Sequence, residues 1–168
     1  AVANQADYVI ITSARNADAV QPLASFRAKH QSLAVVTVLV DSVSTQFPRA
    51  TPDSSIRDFV SWFLIHWQTP PPRYLLLAGN VNAVPSHKAA SPLGPYYGED
   101  SLMLDQWLSS GVNASQTYPT PAIAVGRFPA WTPEALSIMV AKTIAYEEMT
   151  LSALAARSIA LADSSDGG

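Results

Sequence analysis

Cysteine is missing from this sequence of 168 residues, and charged residues make up only 14% of it. Without cysteine, the chain has no thiol nucleophile, disulfide, thiolate zinc site or iron–sulfur cluster of its own. Apolar residues reach 48%, yet Arg, Asp or Pro interrupts the apolar runs well before the ~18 residues that a membrane span needs. The net charge of −3 argues against a nucleic-acid backbone as a partner, because that partner requires a basic face. The low charge and the high apolar content are compatible with a surface that packs against a partner domain.

The length is typical of one domain, which buries roughly two-thirds of its unfolded surface and needs neither metal nor disulfide to fold. No signal peptide is visible, since the first residues lack a basic stretch followed by an apolar one. The chain begins with Ala1 rather than Met and stops at Asp166-Gly167-Gly168, shortly after an apolar run. We therefore expect a processed or excised piece of a longer protein.

Short apolar runs alternate with helical patterns along the chain. Continuous β-branched or apolar runs are typical of strands buried on both faces, whereas apolar residues spaced by three and four predict helices. The predicted strands are Tyr8–Thr12, Leu33–Val40, Tyr74–Ala78, Pro121–Phe128 and Ser158–Ala162. The predicted helices carry apolar stripes from Val20 to His30, from Ile56 to Trp67 and from Leu136 to Ile144. The second and third helices begin with Thr51-Pro52-Asp53 and Thr132-Pro133-Glu134, in which the threonine hydroxyl is the predicted N-cap.

This alternation predicts right-handed crossovers and a three-layer α/β fold, with a mostly parallel sheet covered by helices on both faces. We assign residues 1–168 to a single α/β domain. The stretch from Val81 to Thr120 is rich in Pro, Gly, Ser and Asn, and we expect it to be a long irregular loop insertion. Loops of that length are usually functional or partly disordered.

Several common catalytic and cofactor motifs are absent. A dinucleotide-binding fold carries glycines after its first strand, whereas this sequence has Thr12-Ser13-Ala14-Arg15-Asn16 there. This argues against a Rossmann cofactor site. No Gly-Lys-Ser/Thr or Gly-x-Ser-x-Gly motif is present, so the sequence offers neither a P-loop nor an α/β-hydrolase serine.

The three histidines do not form a helical metal pair, since none lies four residues from another. His30 and His66 come late in predicted helices, where a histidine usually complements the helix dipole. His87 follows Pro85 in the predicted loop, and we expect it to be solvated.

The acidic residues divide by their predicted positions. Those on helix starts or exposed faces are interpreted as capping or solvated residues, namely Asp53, Asp58, Glu134, Glu147 and Glu148. Those that follow strand ends or cluster in the loop are the candidates for function, namely Asp41, Asp163, Asp166, Glu99, Asp100 and Asp105. Ligands of open α/β sheets bind at the carboxyl ends of the strands, which favours the first three. Spacing alone assigns no catalytic pair.

Two segments, Pro72–Gly79 and Gly126–Ala130, read Pro-Arg-Tyr-Leu-Leu-Leu-Ala-Gly and Gly-Arg-Phe-Pro-Ala. Weaker matches in a consistent order are Tyr8–Thr12, Gln21–Ala24 with Phe26-Arg27, Ile56–Phe59, Val84-Pro85 and Lys142–Glu147. Together, over nearly the whole chain, they resemble the start of the gingipain-like cysteine peptidases of family C25, clan relatives of the caspases.

The resemblance implies a caspase-like peptidase domain of two side-by-side α/β subdomains, of which this chain is the first. The catalytic histidine, in a Gly-His-Gly context, and the catalytic cysteine of that family lie in the second subdomain. This chain would then be a non-catalytic scaffold and cleft wall, inactive alone. Its partners would be the second subdomain of the same protein and protein or peptide substrates, and its location secreted, periplasmic or at the cell surface.

One acidic residue before a Gly-Gly orients the histidine in that family, and Asp166 with Gly167-Gly168 matches it. A carboxylate in that place fixes the imidazole tautomer and stabilises the imidazolium. The alternative for Asp166 is an ordinary turn residue. The family can hold calcium, but the segment Glu99–Asp105 departs from its acidic pattern, and we expect no cofactor or metal here.

Two other functions stay open at this point. One is a stand-alone flavodoxin-like binding module that uses the strand-end loops with Asp41 or Asp163. The other is a catalytically dead interaction domain on a cell-surface protein. The peptidase interpretation also predicts an exposed apolar patch, on a sheet edge or face that packs against the missing half.

Overall fold

The computed structural model describes residues 4–91, 101–110 and 121–149. The predicted final strand Ser158–Ala162 and the candidate acids Glu99, Asp100, Asp163 and Asp166 lie outside the described residues.

Six strands and five helices make up the described part of the chain. The strands are β1 (Tyr8–Thr12), β2 (Val35–Leu39), β3 (Tyr74–Ala78), β4 (His87–Ala90), β5 (Ser101–Leu104) and β6 (Ala124–Phe128). The helices are α1 (Ala17–His30, after a 3-10 turn at Ala14–Asn16), α2 (Val40–Gln46), α3 (Pro52–His66), α4 (Asp105–Leu108) and α5 (Pro133–Glu148). No helix in these ranges has both the length and the apolar character to cross a bilayer.

The main sheet has four parallel strands in the order β2-β1-β3-β6. Their first residues are in register, with Tyr8 opposite both Val35 and Tyr74, and Tyr74 opposite Ala124. Helices cover both faces, so the predicted three-layer α/β fold with a mostly parallel sheet is confirmed. Parallel strands align their carboxyl ends at one edge, which we call the carboxyl edge, and their first residues at the opposite, amino edge.

Two hydrophobic clusters hold the layers together, one on each face of the sheet. Successive residues of a strand point to opposite faces, so each buried strand feeds both clusters. On the first face, α1 and α5 pack on the strands through Val20, Leu23, Leu136 and Val140, with Ile10 and Leu76 from the sheet. On the second face, α2 and α3 pack through Val43, Ile56, Phe59, Val60 and Phe63, with Val9, Ile11, Leu75 and Leu77 from the sheet.

The second strand ends earlier than predicted. Val40 begins α2 instead of ending β2, and Asp41 lies exposed in the first turn of that helix. Asp41 still follows the end of β2, as predicted, but the predicted strand bound at Val40 was wrong. The cause is that a continuous apolar run does not show by itself where a strand passes into a short helix.

The prediction of one irregular loop from Val81 to Thr120 was also wrong for its described part. β4 and β5 form a two-stranded antiparallel sheet, and α4 follows β5 directly. The sequence His87-Lys88-Ala89-Ala90 has no apolar run, and its partner strand lies more than ten residues away. Pairing between distant short segments leaves little local signal.

The two Thr-Pro helix starts differ in their caps. Thr132 caps α5 as predicted, because its hydroxyl accepts a hydrogen bond from the Ala135 amide at 3.2 Å. Thr51 does not cap the α3 backbone, and its hydroxyl bonds the Ser54 hydroxyl at 2.8 Å instead. That part of the prediction was wrong.

The side chains around Gly79, which follows β3, are tightly packed. The φ of Gly79 is +141°, and a Cβ there would lie 2.9 Å from Ala83 Cβ and 3.1 Å from Asn16 Nδ2. We expect Gly79→Ala to lower the free energy of unfolding by about 2 kcal/mol, from backbone strain and overpacking. Gly126→Ala is the matched control, since a Cβ at Gly126 meets no described atom within 4 Å. Urea denaturation of the 168-residue chain measures both, and equal stability of the two variants would contradict the prediction.

Candidate functional site

A buried arginine joins four parts of the carboxyl edge. Arg127, in β6, donates from Nε and Nη2 to the two carboxylate oxygens of Asp105 at 2.7 and 2.8 Å. Its Nη1 donates to the carbonyls of Gly79 at 2.7 Å and Val84 at 2.8 Å. The side chain of Arg127 is only 10% exposed. This arrangement, which we call the Arg127 clamp, fixes α4 and the segment after β3 to the end of β6.

Asp105 owes its position to the start of α4, whose first residue it is. Burial acts to raise the pKa of Asp105, but the hydrogen bonds and charge of Arg127 outweigh it, and the net pKa is lowered. Two parallel N–H to carboxylate bonds are the strongest geometry for such a pair. Asp105, a candidate for function by its place in the predicted loop, is therefore a structural anion in the described site.

A second polar pair connects α3 to β4. Asp53 lies in the first turn of α3, and its Oδ2 accepts a hydrogen bond from His87 Nδ1 at 2.8 Å. Both side chains are largely buried. Burial acts to raise the pKa of Asp53, but hydrogen bonds from Thr51, His87 and the Ser54 amide lower it overall.

His87 also stacks on an aromatic side chain. Its ring lies 3.8 Å from the Trp107 ring, with an interplanar angle of 12°. The guanidinium carbon of Arg57 lies 4.2 Å from the Trp107 ring centre, a cation–π distance. The expectation of a solvated loop histidine was wrong, because a pairing of β4 that the local sequence does not signal places His87 between α3 and α4. Asp53 likewise does more than cap a helix.

The crevice between β1 and β3 is filled. Order β2-β1-β3-β6 places the topological switch point there, where flavodoxin-like folds bind ligands. Thr12 Oγ1 donates to the Ala78 carbonyl at 2.8 Å, and Asn16 is buried against Gly79. The side chains of Ala83 and Val84 also pack close to Gly79. This close packing argues against the stand-alone binding module.

The chemistry of these groups is limited. The carboxylate of Asp53 occupies Nδ1 of His87, which leaves only Nε2 of that ring for another hydrogen-bond partner. Within the described ranges, the His87 ring also stacks on Trp107. No group of three or more His, Asp or Glu residues among them could hold a metal ion. The described part of the site is thus a polar wall of paired carboxylate, imidazole and guanidinium groups.

The other histidines behave as predicted for helix ends. His30 is exposed in the last turn of α1 and stacks on Phe26 with ring centres 4.7 Å apart. His66 donates from Nδ1 to the Trp62 carbonyl at 2.9 Å. Asp58 and Glu147 are structural acids, paired with Arg49 and Arg27 respectively.

Sequence reasoning missed the roles of Arg127 and His87. An arginine within the otherwise apolar strand segment Ile123–Phe128 was a usable signal, because a buried charge requires a partner. This signal did not identify Asp105 as the partner of Arg127. The pairing of His87 with Asp53 crosses 34 residues and had no local signal.

A family model described as peptidase family C25 matches residues 1–168. The chain belongs to peptidase family C25. Comparison with curated protein sequences gave no match. The family assignment therefore depends on the family model and agrees with the fold.

Solved structures share the fold of this C25 chain. Latent dimeric PorU from Porphyromonas gingivalis is 23% identical, with a TM-score of 0.70, and the match covers 86% of this chain and 16% of PorU. Gingipain R (RgpB), an Arg-specific cysteine proteinase, is 16% identical with a TM-score of 0.64, over 87% of this chain and 29% of that one. A complex of the Porphyromonas gingivalis RgpB pro- and mature domains is 16% identical, with a TM-score of 0.63. That match covers 83% of this chain and 28% of the other. The C25 chain thus spans less than a third of each.

The Arg127 clamp predicts a large effect of one neutral substitution. We expect Asp105→Asn to lower the free energy of unfolding by about 2 kcal/mol, because a buried guanidinium loses its charged acceptor. The matched control is Asp58→Asn, which breaks a more exposed ion pair with Arg49 and should cost less than about 1 kcal/mol. Chemical denaturation at neutral pH compares the two, and a control that is as destabilising as Asp105→Asn would refute the role of the clamp.

The lowered pKa values of Asp53 and Asp105 set the direction of an acid dependence. Each carboxylate stabilises the fold above its unfolded pKa of about 3.9, and this contribution is lost as pH falls through the lower folded pKa. We expect stability to decline below about pH 4, less steeply in Asp105→Asn than in the wild type. Denaturation midpoints measured between pH 2 and 6 give both slopes. Parallel slopes would count against Asp105 as a contributor.

Proposed function

We propose that residues 1–168 form the first subdomain of a gingipain-like cysteine endopeptidase domain, whose catalytic histidine and cysteine lie in a second subdomain further along the protein. One observation carries this proposal: a peptidase family matches the full sequence, and that sequence contains no cysteine. The match to less than a third of the PorU and gingipain chains supports it, since those proteins extend well beyond this fold.

The role proposed for this subdomain is scaffold and cleft wall. Catalytic groups need supports held in one geometry by packing and hydrogen bonds. The Arg127 clamp and the Asp53–His87 pair provide such a support at the carboxyl edge, where open α/β sheets place their ligands. In the proposal, Asp166 orients the histidine of the second subdomain, and protein or peptide substrates bind between the two. A secreted, periplasmic or cell-surface location belongs to the same proposal.

Crossover handedness supports a separate second unit. α1 lies on the first face and leads from β1 to β2, towards one side of the sheet. α5 lies on the same face, so a parallel strand placed beyond β6, on the opposite side, would need a crossover of the opposite hand. About 98% of such crossovers are right-handed. A chain that continues after α5 is therefore not expected to add a parallel strand beyond β6, and a second sheet agrees with this.

The coding sequence beyond Gly168 tests the proposal directly. We expect an apolar strand that ends in Gly-His-Gly and another that ends in Cys. A reading frame that stops at Gly168 would refute the peptidase proposal for this molecule. A downstream Gly-His-Gly with Ser or Ala in place of the cysteine would instead support the catalytically dead interaction domain.

Asp166 gives the sharpest kinetic prediction. In the full-length enzyme, we expect Asp166→Ala to lower kcat for peptide hydrolysis by roughly 10- to 100-fold and leave the fold intact. It should also move the basic limb of the pH profile of kcat/KM to lower pH, because the imidazolium loses a stabilising carboxylate. Asp166→Glu is the matched variant and should retain part of the activity. Unchanged hydrolysis and an unchanged pH profile in Asp166→Ala would reject this role.

A further inference from the structure

The two outermost strands of the main sheet, β2 and β6, have no further strand beside them in the described residues. The composition of these two strands differs. All five residues of β2, from Val35 to Leu39, are uncharged and either β-branched or leucine, and each is half-buried. β6 contains Arg127 and also Gly126, and glycine weakens a strand. β2 is therefore the edge that is better suited to pair with another strand.

The usual protections of a free sheet edge are missing from β2. Natural edge strands often carry lysine, proline, an inward-pointing charge or a bulge, and these features prevent pairing with other chains. β2 has none of them, because its sequence is Val-Val-Thr-Val-Leu and it pairs with β1 over five consecutive positions without a bulge. The composition of β2 therefore favours association with a further strand.

The backbone of β2 presents hydrogen-bonding groups at this free edge. Successive residues of a strand direct their amide and carbonyl groups to opposite sides, so alternate residues bond to the same neighbouring strand. The Tyr8 amide donates to the Ala34 carbonyl at 3.1 Å, so Ala34, and with it Val36 and Val38, bonds towards β1. The residues of β2 whose amides and carbonyls point away from β1 are then Val35, Thr37 and Leu39.

These outward groups match those of a second copy of the same strand. When two β2 strands pair antiparallel around Thr37, Thr37 lies opposite Thr37 of the other copy, and Val35 lies opposite Leu39. Each of these pairs exchanges both amide-to-carbonyl hydrogen bonds, because all three residues point outwards. At the intervening positions Val36 lies opposite Val38, and side chains of an antiparallel pair are closest there. The strand is thus self-complementary in its backbone groups and in its apolar side chains.

An apolar groove runs beside β2 on the second face of the sheet. It has a volume of about 330 Å³ and lies between β2 and α2, with Val36, Val38, Phe47 and Phe59 among its lining residues. The Phe47 ring also contacts Trp62 of α3, with ring centres 5.8 Å apart, and Trp62 is 38% exposed. The apolar surface next to the free edge therefore continues from β2 to α3, which enlarges the area that a second copy can cover.

The charges next to β2 do not oppose this pairing. From Val35 to Gln46 the one charged residue is Asp41, which is exposed in the first turn of α2. Antiparallel pairing around Thr37 places the two copies of Asp41 at opposite ends of the paired strands. The two Leu39 positions are then roughly 13 Å apart along the strands, and the carboxylates of Asp41 lie beyond them. Repulsion over more than about 8 Å is largely screened at physiological salt.

We propose that β2 is a homodimer interface, at which two copies of this chain pair their β2 strands antiparallel around Thr37 and join their sheets into one. A second copy fits this edge better than an unrelated peptide, because the register around Thr37 satisfies every outward group of β2 with the same strand. The proposal concerns the assembly of the protein and does not depend on its peptidase activity.

The oligomeric state of the full-length protein tests this interface. Analytical ultracentrifugation over a range of concentrations should show a dimer that dissociates on dilution. Thr37→Lys places two like charges directly opposite each other and should give a monomer at concentrations at which the wild type is dimeric, whereas Thr37→Val keeps a β-branched side chain and should remain dimeric. Ala124→Lys is the matched control, because it adds the same charge at an exposed position of β6 and should leave the dimer intact.

Hydrogen exchange measured at single amides shows whether β2 is the edge that pairs. The amides of Val35, Thr37 and Leu39 should be protected in the dimer and exchange faster after dilution. The amides of Val36 and Val38, which bond to β1, should stay protected throughout, and also in Thr37→Lys if that variant is folded. A protein that is monomeric at all concentrations, or a dimer that persists in folded Thr37→Lys, refutes the interface. Protected outward amides in a monomer also refute it, because another part of the same polypeptide then covers β2.

Discussion

The guanidinium of Arg127 is the constraint on which the carboxyl edge depends. It is nearly buried, and a buried charge is tolerated only when its donors are met by acceptors of good geometry. Asp105 and the carbonyls of Gly79 and Val84 meet that demand from three separate segments. The clamp therefore fixes the end of β3, the start of α4 and the end of β6 relative to one another. The segments at the carboxyl edge are therefore held together as one surface.

The fold could be predicted from the sequence because its signals are local. Strands β1 and β3 have the predicted bounds, since continuous apolar runs such as Tyr74–Ala78 bury both faces. The sequence signals for the starts of α3 and α5, a proline followed by an acidic residue, are also local. The candidate site could not be predicted in this way, because His87 meets Asp53, and Arg127 meets Asp105, only after distant segments come together. Asp166, the one site residue that the resemblance supplies, lies outside the described residues.

The two edges of the sheet have opposite characters. At the carboxyl edge, Gly79 is enclosed by Ala83 and Asn16, and no side chain fits there. At the amino edge, Gly126 faces open space next to paired charges and exposed aromatic rings. A closed edge held by hydrogen bonds suits the support of a cleft.

We propose that this C25 chain supports catalysis without performing it. The most direct measurement is peptide hydrolysis by residues 1–168 alone, compared with the full-length protein before and after alkylation of its thiols. We expect no turnover by residues 1–168 and alkylation-sensitive turnover by the full-length protein. Turnover by residues 1–168 alone, which contain no thiol to alkylate, would contradict it.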